Sequence, residues 1–216
     1  MVLGHFAVAF AAKKIAPKPS LGTYFIAVQF LDLLWPPLLL LGAEKVEIEP
    51  GNTAFTPLNF ISYPFSHSLL MTVVWSTLLA GLYFLLRKDT KGALILWLAV
   101  LSHWILDFIS HRPDMPLTPG NTSYLGLGLW NSVSGTIIVE GLLFAFGVYI
   151  YTRATKAKNK KGTYTLWSLV GFLVFIYVAN IVGPPPPNTT AIAYAGLSMW
   201  LLMIWAYWVE RNRAMI

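Results

Sequence analysis

Three ionisable residues recur at intervals of four near the end of one strongly apolar segment. They are His103, Asp107 and His111, and the apolar run of residues 92–101 precedes them. If the segment is helical, residues four apart lie on one face, one turn above the next. Imidazole and carboxylate groups together are ligands that suit Zn²⁺ and related divalent ions. The spacing therefore predicts a metal-binding face on this helix.

The composition indicates that this helix lies in a membrane. Of the 216 residues, 56% are hydrophobic and 11% are charged, whereas a soluble domain carries about 25% charged residues. We expect one all-α integral membrane domain over residues 1–216. The net charge of +6 comes from basic residues in short loops. Their position in loops indicates the orientation of the protein in the membrane and does not indicate a nucleic-acid partner. The absence of cysteine excludes disulfides and thiolate metal sites.

Six segments have the roughly 20 apolar residues that a spanning helix needs. They are residues 21–43, 65–86, 92–110, 130–152, 164–183 and 191–209. The pair Pro36-Pro37 should kink or end the first of them, because proline removes a backbone donor and clashes with the preceding turn. Residues 3–12 are too few to span the bilayer. The sequence thus predicts a polytopic bundle of about six transmembrane helices, preceded by a short half-membrane or interfacial helix.

The basic residues fall in alternate loops, around residues 13–18, 87–91, 153–161 and 211–213. By the positive-inside rule, these loops and the C-terminus are cytoplasmic. The other loops then face the outside or the periplasm. Ionisable groups inside spans are costly, at about 2.5–3.5 kcal/mol each, so they persist mostly where they pair or bind an ion.

This topology brings ionisable residues from several segments to one level in the outer half of the membrane. We expect a metal site there, with one or two ions and with Zn²⁺ favoured over Mn²⁺ or another divalent ion. The candidate ligands are His5, Asp32, His67, His103 and Asp107, with His111 as an accessory at the rim. For each residue alone a structural role is the alternative, such as a hydrogen-bonded pair on one helix face or a helix cap.

Three further roles follow from the same topology. Asp32 or Glu140 is a candidate general base that would hold the attacking water within hydrogen-bond reach, although Glu140 equally suits a structural hydrogen bond. Arg112 lies beside the site at the outer surface, where it could stabilise a phosphate or an oxyanion. A bound ion with an open coordination position lowers the pKa of water towards about 7 and makes hydroxide available.

Four short motifs in residues 4–119 resemble those of one family, and the C-terminal helices, residues 130–209, match only as generic membrane helices. The motifs are Gly4-His5, the acidic stretch 31–36 at a proline, residues 62–69 with His67, and Ser102-His103 followed by Asp107. In order and spacing they resemble the inner-membrane-associated, metal-dependent hydrolases described as LexA-binding. The His-x-x-x-Asp helix is also distantly similar to that of zinc-dependent phospholipases C. The resemblance implies an inner-membrane location and a metal-dependent hydrolase.

The leading hypothesis is a membrane-embedded hydrolase that acts on a lipid or lipid-linked substrate entering from the outer leaflet. A phosphoester is the favoured bond, with an ester or amide as alternatives.

A proton- or ion-coupled transporter or channel is the second hypothesis, because intramembrane His and Asp also build ion pathways. We find no inverted repeat and no pair of broken helices in the two halves, which weighs against a transporter. The third hypothesis is a non-catalytic scaffold that a metal stabilises. The sequence does not give the oligomeric state.

Overall fold

A computed structural model describes residues 1–120 and 123–216, which fold mainly as helices. The helices are α1 (Leu3–Ile15), α2 (Leu21–Val28), α3 (Phe30–Leu40), α4 (Pro64–His67), α5 (Leu69–Arg87), α6 (Thr90–Ser110), α7 (Val133–Ala154), α8 (Lys160–Val182), α9 (Thr189–Ser198) and α10 (Trp200–Arg211). The strands form short antiparallel pairs, β1 (Lys45–Ile48) with β2 (Leu58–Ser62), β3 (Met115–Pro116) with β4 (Tyr124–Leu125), and β5 (Thr155–Ala157) with β6 (Arg213–Met215).

Within the described ranges, five helices are long and apolar enough to cross a membrane. Four of them are α5, α6, α7 and α8, and α9 continues into α10 as the fifth. The bent pair α2–α3 makes a sixth if it is counted as one span. The structure therefore confirms the all-α bundle of about six spanning helices. The predicted segments agree with these helices to within a few residues, since each apolar run has about the length that a bilayer requires.

Helix α5 shows the packing that is typical of a membrane helix. Its buried positions are Thr72, Ser76 and Ala80, which recur every four residues and are small. Large apolar side chains such as Leu78 and Leu82 are exposed on the other face. Small residues let helix backbones approach closely, and lipid takes the place of a hydrophobic core on the outside.

The short helix α1 lies in the middle of the bundle and not at its surface. Its contacts are mainly with α7, α2 and α6, and almost every side chain from Leu3 to Lys13 is buried. Gly147 of α7 permits the closest approach, because a Cβ atom there would overlap the backbone of Ala7. The prediction of a short N-terminal helix is confirmed, and the other helices of the bundle enclose it.

The first predicted span is broken at Gln29 and not at the two prolines. Helices α2 and α3 meet there at 54°, and Gln29 has φ −107° and ψ 10°, outside the helical region. Helix α3 runs through Pro36 and Pro37 without ending. The prediction that the helix could end at the prolines is therefore wrong. Prolines are tolerated within membrane helices when neighbouring groups satisfy the backbone carbonyls that they free.

The β1–β2 hairpin, α4 and the described part of residues 111–131 gather at one end of the bundle, which we call the hairpin side. The amide of Phe55 in the hairpin loop donates to the carbonyl of Trp130 across 3.0 Å. The amide of Leu70, at the start of α5, donates to the carbonyl of Leu117 across 2.9 Å. Helix α6 ends at this side, and Trp104 and Phe108 near its end belong to the same apolar cluster as Val46 and Phe60 of the hairpin.

Candidate metal centre

His103 and Asp107 occupy successive turns of α6 and face the centre of the bundle. Both are buried, and Nε2 of His103 lies 3.0 Å from Oδ2 of Asp107. The spacing of four residues places them one above the other, as the sequence predicts. Together they form the fixed half of the site, on a rigid helix.

Asp32 and His67 reach the same point from two other elements. Asp32 lies in the first turn of α3, and His67 is the last residue of α4. Oδ1 of Asp32 is 3.4 Å from Nε2 of His67 and 3.7 Å from Nε2 of His103. Nε2 of His67 is also 3.9 Å from Oδ2 of Asp107. Two imidazole nitrogens and two carboxylate oxygens therefore converge from three helices.

The spacing of these four atoms fits a small divalent ion. Four ligands held tetrahedrally at about 2.1 Å from Zn²⁺ are about 3.4 Å from one another. The four separations between a nitrogen and a carboxylate oxygen range from 3.0 Å to 3.9 Å. The two nitrogens with the oxygen of Asp32 also form a compact group in which every ligand atom lies within 4.8 Å of the others. The residues present match the donor set that zinc prefers.

The hydrogen bonding of His103 leaves Nε2 of its ring as an acceptor. Nδ1 lies 2.6 Å from the carbonyl oxygen of Val28, and because a carbonyl only accepts, Nδ1 must carry the proton. Nε2 of the neutral ring then holds a lone pair, and this buried atom has no hydrogen-bond partner among the described residues. It faces two carboxylates that are also acceptors, which is unfavourable unless a cation or a proton lies between them.

His5 adds a second group around the same aspartate. Its ring stacks on that of His103, with 3.8 Å between the centroids and 2° between the planes. Nε2 of His5 is 3.1 Å from Oδ1 of Asp107. The α-amino group of Met1 contacts that oxygen as well and lies 3.1 Å from Nε2 of His5. The two oxygens of Asp107 thus face two adjoining ligand groups, and a cationic group lies in the one that contains His5.

Glu140 of α7 is buried and binds the start of α1. Its Oε2 accepts from the amides of Leu3, across 2.7 Å, and Gly4, across 3.3 Å. These amides have no partner within their own helix, because the first turn of an α-helix lacks acceptors. A carboxylate at a helix N-terminus is also favoured by the helix dipole. The structure therefore places Glu140 where it anchors the helix that carries His5, and in neither ligand group.

His111 and Arg112 lie on the hairpin side in a separate polar cluster around Asp114. Nδ1 of His111 is 2.9 Å from Oδ1 of Asp114, and the hydroxyl of Tyr63 donates to the same oxygen across 2.7 Å. Arg112 donates to Asn59 across 2.5 Å and to Asp114 across 3.4 Å. Of the predicted site residues that the structure describes, His111 and Arg112 are thus not brought together with either ligand group.

Tyr63 in this cluster is held in its neutral form. Burial, reinforced by the neighbouring Asp114 carboxylate, raises the pKa of the Tyr63 hydroxyl well above its ordinary value. The residue lies in the connection between β2 and α4, outside the spanning helices. Its hydroxyl therefore stays a hydrogen-bond donor to Asp114 over the whole physiological pH range.

The ligand groups open to the surroundings at one residue. The side chain of Asp32 is 32% exposed, whereas those of His67, His103 and Asp107 are at most 5% exposed. A substrate or a water molecule that reaches the site would therefore meet Asp32 first.

Two residues that matter to the site were not singled out from the sequence. Glu44, just before β1, accepts hydrogen bonds from the backbone and hydroxyl of Ser66, and Ser66 in turn contacts His67. In the sequence, Glu44 stands beside Lys45 and Glu47 and has the composition of an exposed loop. The alternating apolar pattern of residues 45–48 and 58–62 was the available signal, because it predicts a hairpin that folds residue 44 back onto residues 64–66.

Comparison with known proteins shows the family of the chain. No curated protein and no solved structure matches it. The sequence model of the YdjM inner membrane protein family matches residues 51–185. This region is more than half of the chain, and it contains His67, His103 and Asp107 but neither His5 nor Asp32. The chain therefore belongs to the YdjM inner membrane protein family and is an integral protein of the inner membrane.

Proposed function

We propose that the protein is a membrane-embedded, metal-dependent hydrolase. The observation that carries this proposal is the convergence of Nε2 of His67 and Nε2 of His103 on the same two carboxylates, since each nitrogen lies 3.0–3.9 Å from an oxygen of Asp32 and from an oxygen of Asp107. Groups of this kind inside a membrane are expensive and are kept mainly for function. A metal ion would satisfy all four at once.

The proposed ligands are Asp32, His67, His103 and Asp107, with His5 in the adjoining group. Nitrogen and carboxylate oxygen donors favour Zn²⁺, with Mn²⁺ as the alternative. A bound divalent ion supplies Lewis acidity, which makes water a nucleophile near neutral pH. In the second group, His5 with His103 and Asp107, the α-amino group of Met1 already contacts Asp107 and His5, so a second ion would bind there only by displacing this amine.

Asp32 is the residue that we expect to handle the proton. Its carboxylate is the most exposed of the ligand side chains, so it is the one that an incoming water molecule can reach. A carboxylate within hydrogen-bond reach of that water holds it in position and accepts its proton. The buried His103 and Asp107 are fixed by α6 and serve to hold the reacting groups in place.

The substrate that we propose is a lipid or a lipid-linked ester, most simply a phosphoester. Three observations support this. The ligand groups lie within the bundle, one to two turns from the hairpin end of α6. The outer faces of the spanning helices are apolar. The basic loops lie at the opposite end of these helices, and by the positive-inside rule that end is cytoplasmic. The site then opens on the periplasmic side.

Metal analysis combined with a lipid assay tests the proposal. Protein purified without chelator should contain about one or two equivalents of Zn²⁺ or Mn²⁺ by mass spectrometry. It should release a water-soluble product from vesicles of bacterial phospholipid or lipid-linked phosphate, and Asp32→Asn should lose this turnover while the metal stays bound. Absence of any stoichiometric ion would refute the proposal. A tightly bound ion without turnover on any lipid class would favour the scaffold.

An ion-coupled transporter is the second candidate, because α2–α3 is broken by 54° beside the ligand groups. Discontinuous helices with free backbone groups line the ion sites of many transporters. Proteoliposomes distinguish the two. Cation or proton flux that is lost in His103→Ala, yet is unchanged by a chelator, would favour transport over hydrolysis.

A further inference from the structure

We propose that Glu44 is a positioning residue that sets the protonation pattern of His67 through the hydroxyl of Ser66. The inference rests on the proposed function in one respect, namely that His67 ligates a metal through Nε2. A hydrogen-bonded chain from Glu44, just before β1, through Ser66 to His67 supports it independently of the ion.

Glu44 is almost completely buried and both of its oxygens are engaged. Oε1 accepts from the amides of Phe65, across 2.9 Å, and Ser66, across 2.8 Å. Oε2 accepts from the hydroxyl of Ser66 across 2.6 Å. An ionised carboxylate only accepts hydrogen bonds and has room for all three donors. Glu44 therefore fixes both the backbone that precedes His67 and the direction of the Ser66 hydroxyl.

The proton count of Ser66 then decides the tautomer of His67. A serine hydroxyl has one proton, and in this arrangement the proton points to Glu44. The oxygen of Ser66 also lies 2.6 Å from Nδ1 of His67, and towards that atom it can offer only a lone pair. Nδ1 of His67 must therefore carry a proton and donate it to Ser66.

The consequence appears at the other ring nitrogen. With the proton on Nδ1, Nε2 of neutral His67 holds the lone pair, and this atom faces Oδ1 of Asp32 at 3.4 Å and Oδ2 of Asp107 at 3.9 Å. A ligating histidine needs this form, and a hydrogen bond from its other nitrogen usually selects it. The carbonyl of Val28 has the same effect on His103. Both histidines thus present an acceptor to the same point.

Substituting Glu44 and Ser66 should affect His67 in different ways. In Glu44→Gln, the new amide can donate to the oxygen of Ser66, which frees the hydroxyl proton to turn towards Nδ1 of His67. This favours the tautomer with the proton on Nε2, which cannot ligate a metal. In Ser66→Ala, Nδ1 loses its partner and both tautomers become populated. Glu44→Gln should therefore be the more damaging change, and it should add nothing to the tautomer ratio in the Ser66→Ala background.

Nuclear magnetic resonance of metal-free protein with ¹⁵N-labelled histidine tests this directly. The chain has four histidines, so the signals can be assigned with single variants. We expect native His67 to carry its proton on Nδ1, Ser66→Ala to give a mixture, and Glu44→Gln to shift it to Nε2. Glu47→Gln, an exposed glutamate in the same hairpin, should match the native spectrum. A native His67 without a proton on Nδ1, or a Glu44→Gln spectrum like the native one, would overturn the inference.

Titration with Zn²⁺ gives the functional consequence. Removing a hydrogen bond from the far side of a ligating histidine typically weakens binding by about 10–100-fold, so the affinity should fall from native to Ser66→Ala and further to Glu44→Gln. If the native protein binds no Zn²⁺, the proposed function fails, while the tautomer measurement still decides the role of Glu44. If Glu44→Gln does not fold, Ser66→Ala alone decides, because it removes a single hydroxyl. A pure Nδ1–H tautomer in that variant would contradict the relay.

Discussion

The carbonyl oxygen of Val28 accepts a hydrogen bond from Nδ1 of His103 across 2.6 Å. In an unbroken helix this carbonyl would face the amide of Asp32, four residues later. Because α2 ends at Val28 and α3 starts afresh two residues on, the carbonyl is available to His103. The same break turns the first turn of α3 so that Asp32 lies 3.7 Å from the other nitrogen of His103. The break between α2 and α3 thus orients the ring of His103 and also places Asp32 beside it.

The first prediction separates His103 from His111, although both belong to the pattern of four-residue spacing. His103→Ala should abolish metal retention, because His103 contributes to both ligand groups. His111→Ala should retain the metal, because His111 binds Asp114 and packs against Trp130 at 4.2 Å between ring centroids. Metal content per protein, measured after purification without chelator, decides the matter. Equal loss in the two variants would show that His111 also belongs to the centre.

The sequence predicts the depth of these residues in the membrane but not the direction of each side chain. The helical spacing and the count of residues into each span predict that His67, His103 and Asp107 share a depth, because spanning helices are straight enough for depth to follow residue number. Depth does not give the rotation of each helix end. His111 follows the last residue of α6, where the backbone leaves the helix, so the four-residue spacing no longer places it on the face of Asp107.

The contacts that orient the ligands were harder to predict. The break at Gln29 has no proline or glycine to mark it, and the two prolines nearby point to the wrong place. Glu44 reaches Ser66 only because the hairpin brings together residues that are 22 positions apart. Contacts of this kind depend on tertiary packing, which outweighs the local preferences that a sequence pattern reports.

The second prediction concerns Glu140 as the anchor of α1. Glu140→Ala would leave the amides of Leu3 and Gly4 buried without an acceptor, and hydrogen bonds to a charged group contribute about 1.5–3 kcal/mol. We expect a clear drop in the thermal unfolding temperature in detergent, together with weaker metal retention through His5. Glu140→Gln keeps an acceptor oxygen and should be milder in both respects. If Glu140→Gln instead abolished hydrolysis while stability and metal content stayed native, Glu140 would be the general base.

The third prediction uses two glycines of the same helix. A methyl group at Gly147 would overlap the backbone of Ala7, whereas a Cβ at Gly141 meets nothing within 4 Å. Overpacking of this kind costs about 1–3 kcal/mol, so Gly147→Ala should destabilise the protein and disturb the seating of α1. Gly141→Ala should be neutral or slightly stabilising. The free energy of unfolding in detergent, measured for both variants, should differ in this direction, and equal values would contradict the close packing of α1 against α7.

The fourth prediction is a pH dependence that arises in the Asp114 cluster. Burial raises the pKa of Tyr63 in the folded protein, whereas in the unfolded chain tyrosine titrates near its ordinary value of about 10. The folded state therefore holds this proton more tightly. The stabilisation is fully present below about pH 10 and is lost as the pH rises from there through the raised pKa.

Tyr63→Phe lacks both the titrating group and the hydrogen bond to Asp114. Below pH 10 the native protein should be more stable than the variant by about 1.5–3 kcal/mol, and this difference should shrink as the pH is raised further. Unfolding curves for both proteins at a series of pH values check this, and a difference that stays constant through the alkaline range would show that Tyr63 does not hold its proton as the structure implies.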